Sequence, residues 1–239
     1  MSRPIFIFSV FCILLAAAAI VAFRARLRAP RGAPQHAAAA RPVRLACVGD
    51  SLTAGLGMDD PAVESYPAQL GRMLGGRWEV RGFAASGHTA SRDFERSFWN
   101  HGEFKAALEW GPDVAVICLG TNDSWPSRWV ALREKFAGDL KDMAKTFMDL
   151  PSKPRCFLCI PTPLFIEDEI QKKIMVEEVN AAIREVARGL GLEVVDFYGA
   201  LLEHPEFFRD KVHPTPAGAG AMAAAVLEKL NPEKFRHIP

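Results

Sequence analysis

The chain has 239 residues, of which 49% are hydrophobic and 24% charged, a composition that fits one globular domain with a sizeable core plus a tail. Its formal charge of +1 is unevenly placed: residues 1–40 hold Arg3, Arg24, Arg26, Arg28, Arg31 and no acid, leaving 24 basic against 28 acidic residues beyond them, a net of −4. A body with that balance lacks the basic footprint that binding a phosphate backbone requires, so nucleic acid is excluded as a partner.

Residues 4–23 are twenty nearly all-apolar, uncharged positions, enough to cross a hydrocarbon core of roughly 30 Å. A core helix would need a polar face, and this run has none. It reads as a signal peptide or an uncleaved anchor. Its length and the mediocre cleavage site at Ile20-Val21-Ala22 favour the anchor. Residues 1–28 are therefore expected to be the anchor or signal segment. Residues 29–42, rich in Ala, Pro and Arg, read as a tether, and residues 43–239 as a single domain.

From residue 43 short apolar runs alternate with longer amphipathic ones. Val43–Gly49, Trp78–Ala84 and residues 114–119, 156–160 and 192–197 suit strands covered on both faces. Leu132, Phe136, Leu140, Met143 and Phe147 form one helical stripe. Ile170, Ile174, Val179, Ile183, Val186 and Leu190 form a less regular one. After Pro214, Thr215 can cap a helix with Pro216 at its first position, running to about Leu230. Repeated strand–helix alternation predicts an α/β fold, an open three-layer α/β/α sandwich on a five-stranded parallel sheet. Four of the five cysteines fall in strand-like runs and read as buried thiols, the Cys156-x-x-Cys159 pair included. Cys12 lies in the N-terminal run.

In such a sheet ligands bind beyond the carboxyl ends of the strands, so the chemistry should follow Gly49, Ala84, Leu119, Ile160 and Phe197. Gly49-Asp50-Ser51-Leu52-Thr53-Ala54-Gly55 turns a serine out at the first strand end, as a nucleophile or as a plain turn. It lacks the Lys and spacing of a P-loop. Ala84-Ala85-Ser86-Gly87-His88-Thr89 can bring the Gly87 N–H near it, with His88 read as a polar loop residue. In Gly120-Thr121-Asn122-Asp123, Asn122 can donate to developing negative charge or cap a helix. In Asp210-Lys211-Val212-His213-Pro214, a carboxylate three residues before an imidazole can orient it as a base, or the two can be a surface pair.

Together these blocks resemble the SGNH/GDSL hydrolase family over roughly residues 43–230. GDSLTAG, SGHT, GTND and DKVHP stand at its four motif positions. The resemblance implies a flavodoxin-like strand order, Ser51 as nucleophile, His213 as base and Asp210 orienting His213. It also implies an oxyanion hole made by the Ser51 and Gly87 backbone N–H groups and the Asn122 amide, with no metal and no cofactor. The chain departs from the pattern in two blocks. Gly82 and Ala84 stand where Asn-x-Gly is frequent, and Lys211 stands where Gly often follows Asp. No GxSxG elbow is present.

ESYPAQL at 64–70, GTNDSWP and IPTP at 160–163 look like the sialate/carbohydrate O-acetylesterase branch. The expected substrate is therefore a small acylated molecule, an acetylated sugar or glycan. A lysophospholipase or thioesterase, a glycan O-acetyltransferase and a silent glycan-binding module are the rival readings. The loops are short, leaving little room for a lid. Trp99, Trp125 and Trp129 can stack on sugar rings or simply pack. The arginines after the apolar run favour a cytoplasmic body, whereas the signal-like start and esterase-like body favour an extracytoplasmic one, which is the expectation adopted.

Overall fold

The computed structural model describes residues 41–231. The apolar run at 4–23, nearly all of the tether and Cys12 lie outside them. Among the described residues no helix is long and apolar enough to cross a membrane.

Five strands form one all-parallel sheet: β1 (Val43–Gly49), β2 (Trp78–Ala84), β3 (Val114–Cys118), β4 (Arg155–Ile160) and β5 (Glu193–Asp196), in the order β2-β1-β3-β4-β5. The continuous apolar runs follow from burial on both faces. Leu45 and Cys47 of β1 join one core and Ala46 and Val48 the other, as the twofold alternation of a strand requires. The first core is closed by the helices Tyr66–Leu74 and Pro216–Leu230. The second is closed by Gly102–Trp110, Pro126–Met148 and Asn180–Leu190. Fully buried side chains such as Phe136, Phe147 and Phe157 each contribute about 1.5–3 kcal/mol relative to exposure. Cys47, Cys118, Cys156 and Cys159 are all free and buried.

The irregular second stripe has a physical cause. Ile174 and Val179 are five residues apart and both buried, because residues Ile174–Val179 form a π-helical turn between the helices Glu169–Lys173 and Asn180–Leu190. The π turn inserts one residue and restores both side chains to the core face. Ile170, expected in the stripe, is instead 65% exposed.

The chain leaves β1 for β2 on one side and reaches β3 on the other. The loops after β1 and β3 therefore diverge and open a crevice at the carboxyl edge. Gly49 ends β1 at that edge. A Cβ there would lie 2.2 Å from Thr53 Oγ1 and 2.6 Å from the Cys118 carbonyl oxygen, so only glycine lets the chain turn into the next helix.

Candidate active site

Ser51 opens the short helix Ser51–Ala54, with Asp50 as its cap: the Leu52 N–H donates to Asp50 Oδ1 at 3.0 Å. Ser51 is buried, with only 5% of its surface exposed. From the far end of the chain, His213 Nε2 stands 2.9 Å from Ser51 Oγ, and Asp210 Oδ2 stands 2.7 Å from His213 Nδ1. A carboxylate at Nδ1 places the ring proton there and leaves the Nε2 lone pair facing the serine hydroxyl. The three groups lie in one hydrogen-bonded line.

The loop carrying the acid and the imidazole is fixed from several sides. The His213 and Val212 N–H groups donate to Asp210 Oδ1 at 2.7 and 3.1 Å. The Thr215 N–H donates to the Phe207 carbonyl at 2.7 Å, and the Phe165 N–H to the Lys211 carbonyl at 2.8 Å. Partial burial raises the Asp210 pKa. The hydrogen bonds from the His213 ring and from the two backbone N–H groups outweigh it, so the carboxyl is held below its usual range. Lys211 adopts a left-handed φ of +69°, which explains why glycine is frequent at this position in the motif. Its ammonium pairs with exposed Glu167 at 3.0 Å.

The other loops meet Ser51 from the β2 and β3 side. Gly87 has a φ of +79°, and a Cβ there would lie 2.9 Å from Arg96 Nη1. Among the described residues the N–H groups of Ser51 and Gly87 donate to no protein acceptor. Asn122 is different. Its Nδ2 donates to Asp50 Oδ2 at 3.1 Å and to the His88 carbonyl at 3.0 Å, so both amide hydrogens are engaged. An arriving oxyanion would share one of them. Asp123 receives the Ala90 and Ser91 N–H groups and the Ser91 hydroxyl at 3.0, 3.1 and 2.8 Å, tying the Gly87 loop to the loop after β3.

Asp50 is not among the site residues expected from the sequence. It is fully buried, and desolvation raises its pKa to about 7, with the nearby Asp123 charge adding to the rise and hydrogen bonds from Leu52 and Asn122 opposing it. An acid between an apolar strand and a helix start is the signal that points to it. His88 is a loop residue, as expected: its Nδ1–H donates to the Ser86 carbonyl at 3.1 Å and its ring meets His101 edge-on. Gly82 and Ala84 line an open groove of about 410 Å³ at the β2 edge. Ala84 still pairs with Gly49, so the departure from Asn-x-Gly leaves the approach to Gly87 in place. Two of the three tryptophans are packed. Trp99 donates to the Ala90 carbonyl at 3.0 Å, and Trp129 to Glu178 at 2.7 Å. Trp125 is 50% exposed. Among the described residues no cluster of three or more His, Cys, Asp or Glu side chains could hold a metal ion.

Comparison with known proteins finds esterases among the similar chains. An acetylxylan esterase from Xylanibacter ruminicola is 34% identical over 203 residues, which cover 77% of this chain and 42% of that protein. The chain thus spans less than half the length of that relative. Among solved structures, an acetylxylan esterase from Geobacillus stearothermophilus superposes with a TM-score of 0.60 at 20% identity, covering 80% of this chain and 95% of that one. An aryl esterase from M. smegmatis gives 0.59 at 17% identity, covering 79% and 98%. These two likenesses establish the shared fold. The model of the GDSL-like Lipase/Acylhydrolase family matches residues 47–221, most of the chain, and the protein therefore belongs to that family.

Proposed function

We propose that this chain is a serine esterase that removes short acyl groups, chiefly acetyl, from carbohydrate, through an acyl-enzyme. The observation that carries the reading is the line Ser51 Oγ, His213 Nε2, His213 Nδ1, Asp210 Oδ2, with spacings of 2.9 and 2.7 Å.

In the first half-reaction Ser51 Oγ bonds to the ester carbonyl carbon while its proton passes to His213 Nε2. Asp210 holds the Nδ1 proton and stabilises the imidazolium. The carbonyl oxygen becomes an oxyanion facing the N–H groups of Ser51 and Gly87 and the Asn122 amide, each such donor being worth about 10²–10³ in rate. The Ser51 N–H also opens a helix, where the aligned backbone favours negative charge, though four residues make that contribution small. His213 then returns its proton to the departing sugar oxygen, and the C–O bond to the sugar breaks. Water, deprotonated by the same Nε2, attacks the acyl carbon, His213 passes that proton to Ser51 Oγ as the acyl–Ser51 bond breaks, and the acid is released.

The acetylxylan esterase relative supports acetylated carbohydrate as the substrate class, and half-exposed Trp125 offers a face for a sugar ring. The charge-free run at residues 4–23 supports membrane attachment, and its signal-like start together with the esterase-like body supports the extracytoplasmic side. Fractionation of cells expressing the full-length chain, with protease added from outside, tests that placement. The full-length protein should hydrolyse p-nitrophenyl acetate faster than longer acyl esters and release acetate from acetylated xylan oligomers. Hydrolysis confined to long-chain acyl esters, with none of acetylated sugars, would sink the proposal.

A further inference from the structure

Two guanidinium groups stand against the two loops that supply the outer oxyanion donors. Arg96 Nη1 is the atom a Cβ at Gly87 would strike at 2.9 Å. Its backbone is pinned there, because the Thr89 N–H donates to the Arg96 carbonyl at 2.9 Å and the Phe98 N–H to the Thr89 carbonyl at 3.0 Å. Arg128 lies at the other loop. Its Nη1 donates to the Asn122 carbonyl at 3.0 Å, and its guanidinium sits over Phe94 at 4.8 Å and beside Trp125 at 5.7 Å from the ring centroids. Phe94 is two residues before Arg96, so the segment between Thr89 and Phe98 carries Arg96 and also packs against Arg128.

Neither arginine is neutralised. Arg92, on the same loop, pairs with Asp139 and Asp142 and covers Trp99. Asp93 is taken by Lys135, and Asp123 is buried under Ala90 and Ser91. Among the described residues no carboxylate bridges to Arg96 or Arg128. Arg96, without an acid partner in a body whose net charge is −4, keeps its planar donor fork available for a carboxylate that arrives with the substrate, while Arg128, its Nη1 engaged by the Asn122 carbonyl, adds positive charge beside it.

Building on the esterase reading above, we infer that the Arg96–Arg128 rim is a subsite for a uronic acid, so that the preferred substrate is an acetylated glycan carrying a carboxylate near the ester. The carboxylate lies against Arg96, and a neighbouring sugar ring lies on Trp125. Local cations also offset the repulsion that the acidic body exerts on such a substrate.

The test compares kcat/KM on two acetylated xylan oligomers, one neutral and one bearing a glucuronic acid branch, for full-length wild type, Arg96→Gln and Arg96→Lys. Wild type should favour the acidic oligomer, with a preference that shrinks as NaCl is raised from about 0.05 to 0.5 M. Arg96→Gln should lower the acidic-to-neutral ratio about tenfold, equivalent to about 1.4 kcal/mol. Arg96→Lys, which keeps charge but not the fork, should fall between. An unchanged ratio in Arg96→Gln overturns the inference. So does an equal loss on both oligomers, which would mean that Arg96 acts on the oxyanion common to both. Wild type inert on every acetylated glycan overturns the esterase reading and this inference with it, whereas activity with an unaltered ratio overturns this inference alone.

Discussion

Replacing Asp50 with Asn tests how the buried carboxyl behind the proposed oxyanion site contributes to stability and catalysis. Asp50 has no exposed surface, and burial raises its pKa from 3.8 to about 7. Its native state therefore keeps a proton that the unfolded chain has already lost. Stability from this group is full below about pH 4 and falls as pH rises through the window up to about 7, at about 1.4 kcal/mol per pH unit. Over roughly three units the loss amounts to about 4 kcal/mol. Asparagine does not titrate, so the stability difference between wild type and Asp50→Asn should slope by that amount and flatten above pH 7. Titration of Asp123 largely cancels in the difference. Urea unfolding followed by tryptophan fluorescence from pH 4.5 to 8 measures it. The variant should also lose catalysis. Asp50 accepts from Leu52 on one oxygen and from Asn122 on the other, and an amide can accept at only one of them. Asn122 then loses a fixed orientation, and kcat on p-nitrophenyl acetate should fall about 10–100-fold, within the worth of one oxyanion donor. A stability difference independent of pH would refute the reasoning.

Two further outcomes follow from the loop that carries His213. Asp210→Asn would face the ring with an amide, favour the wrong tautomer and lower kcat by about 10⁴ with KM little changed, as steady-state kinetics on p-nitrophenyl acetate will show. At Lys211, glycine should be more stable than alanine by about 1 kcal/mol, because both variants lose the Glu167 pair but only alanine keeps the cost of the left-handed φ of +69°. Urea midpoints of Lys211→Gly and Lys211→Ala check this.

Strand positions were legible because parallel strands buried on both faces must be continuous apolar runs. Their ends were less so: Leu119 reads as strand but follows β3, and Arg155, a charged residue, begins β4. The π turn was visible only as a five-residue gap that ordinary helical spacing does not accommodate. That Ser51, Asp210 and His213 come together could be read because their blocks stand at strand ends or before a capped helix, where the topology converges. The support behind them could not. Asp50 and Asn122 are 72 residues apart in sequence, and no local pattern records that one orients the other. The same holds for Arg96 at Gly87, since the approach depends on how the segment after Thr89 folds back. Trp99 and Trp129 read equally well as ligand platforms or as packing, because no local pattern records their Ala90 and Glu178 acceptors.

The central claim, that Ser51 is the acyl-accepting nucleophile, is tested most directly by the hydrolysis rate of p-nitrophenyl acetate in full-length Ser51→Ala beside wild type, at matched thermal stability. A fall of at least about 10³ in kcat is expected. A variant within about tenfold of wild type would contradict it and place the nucleophile elsewhere.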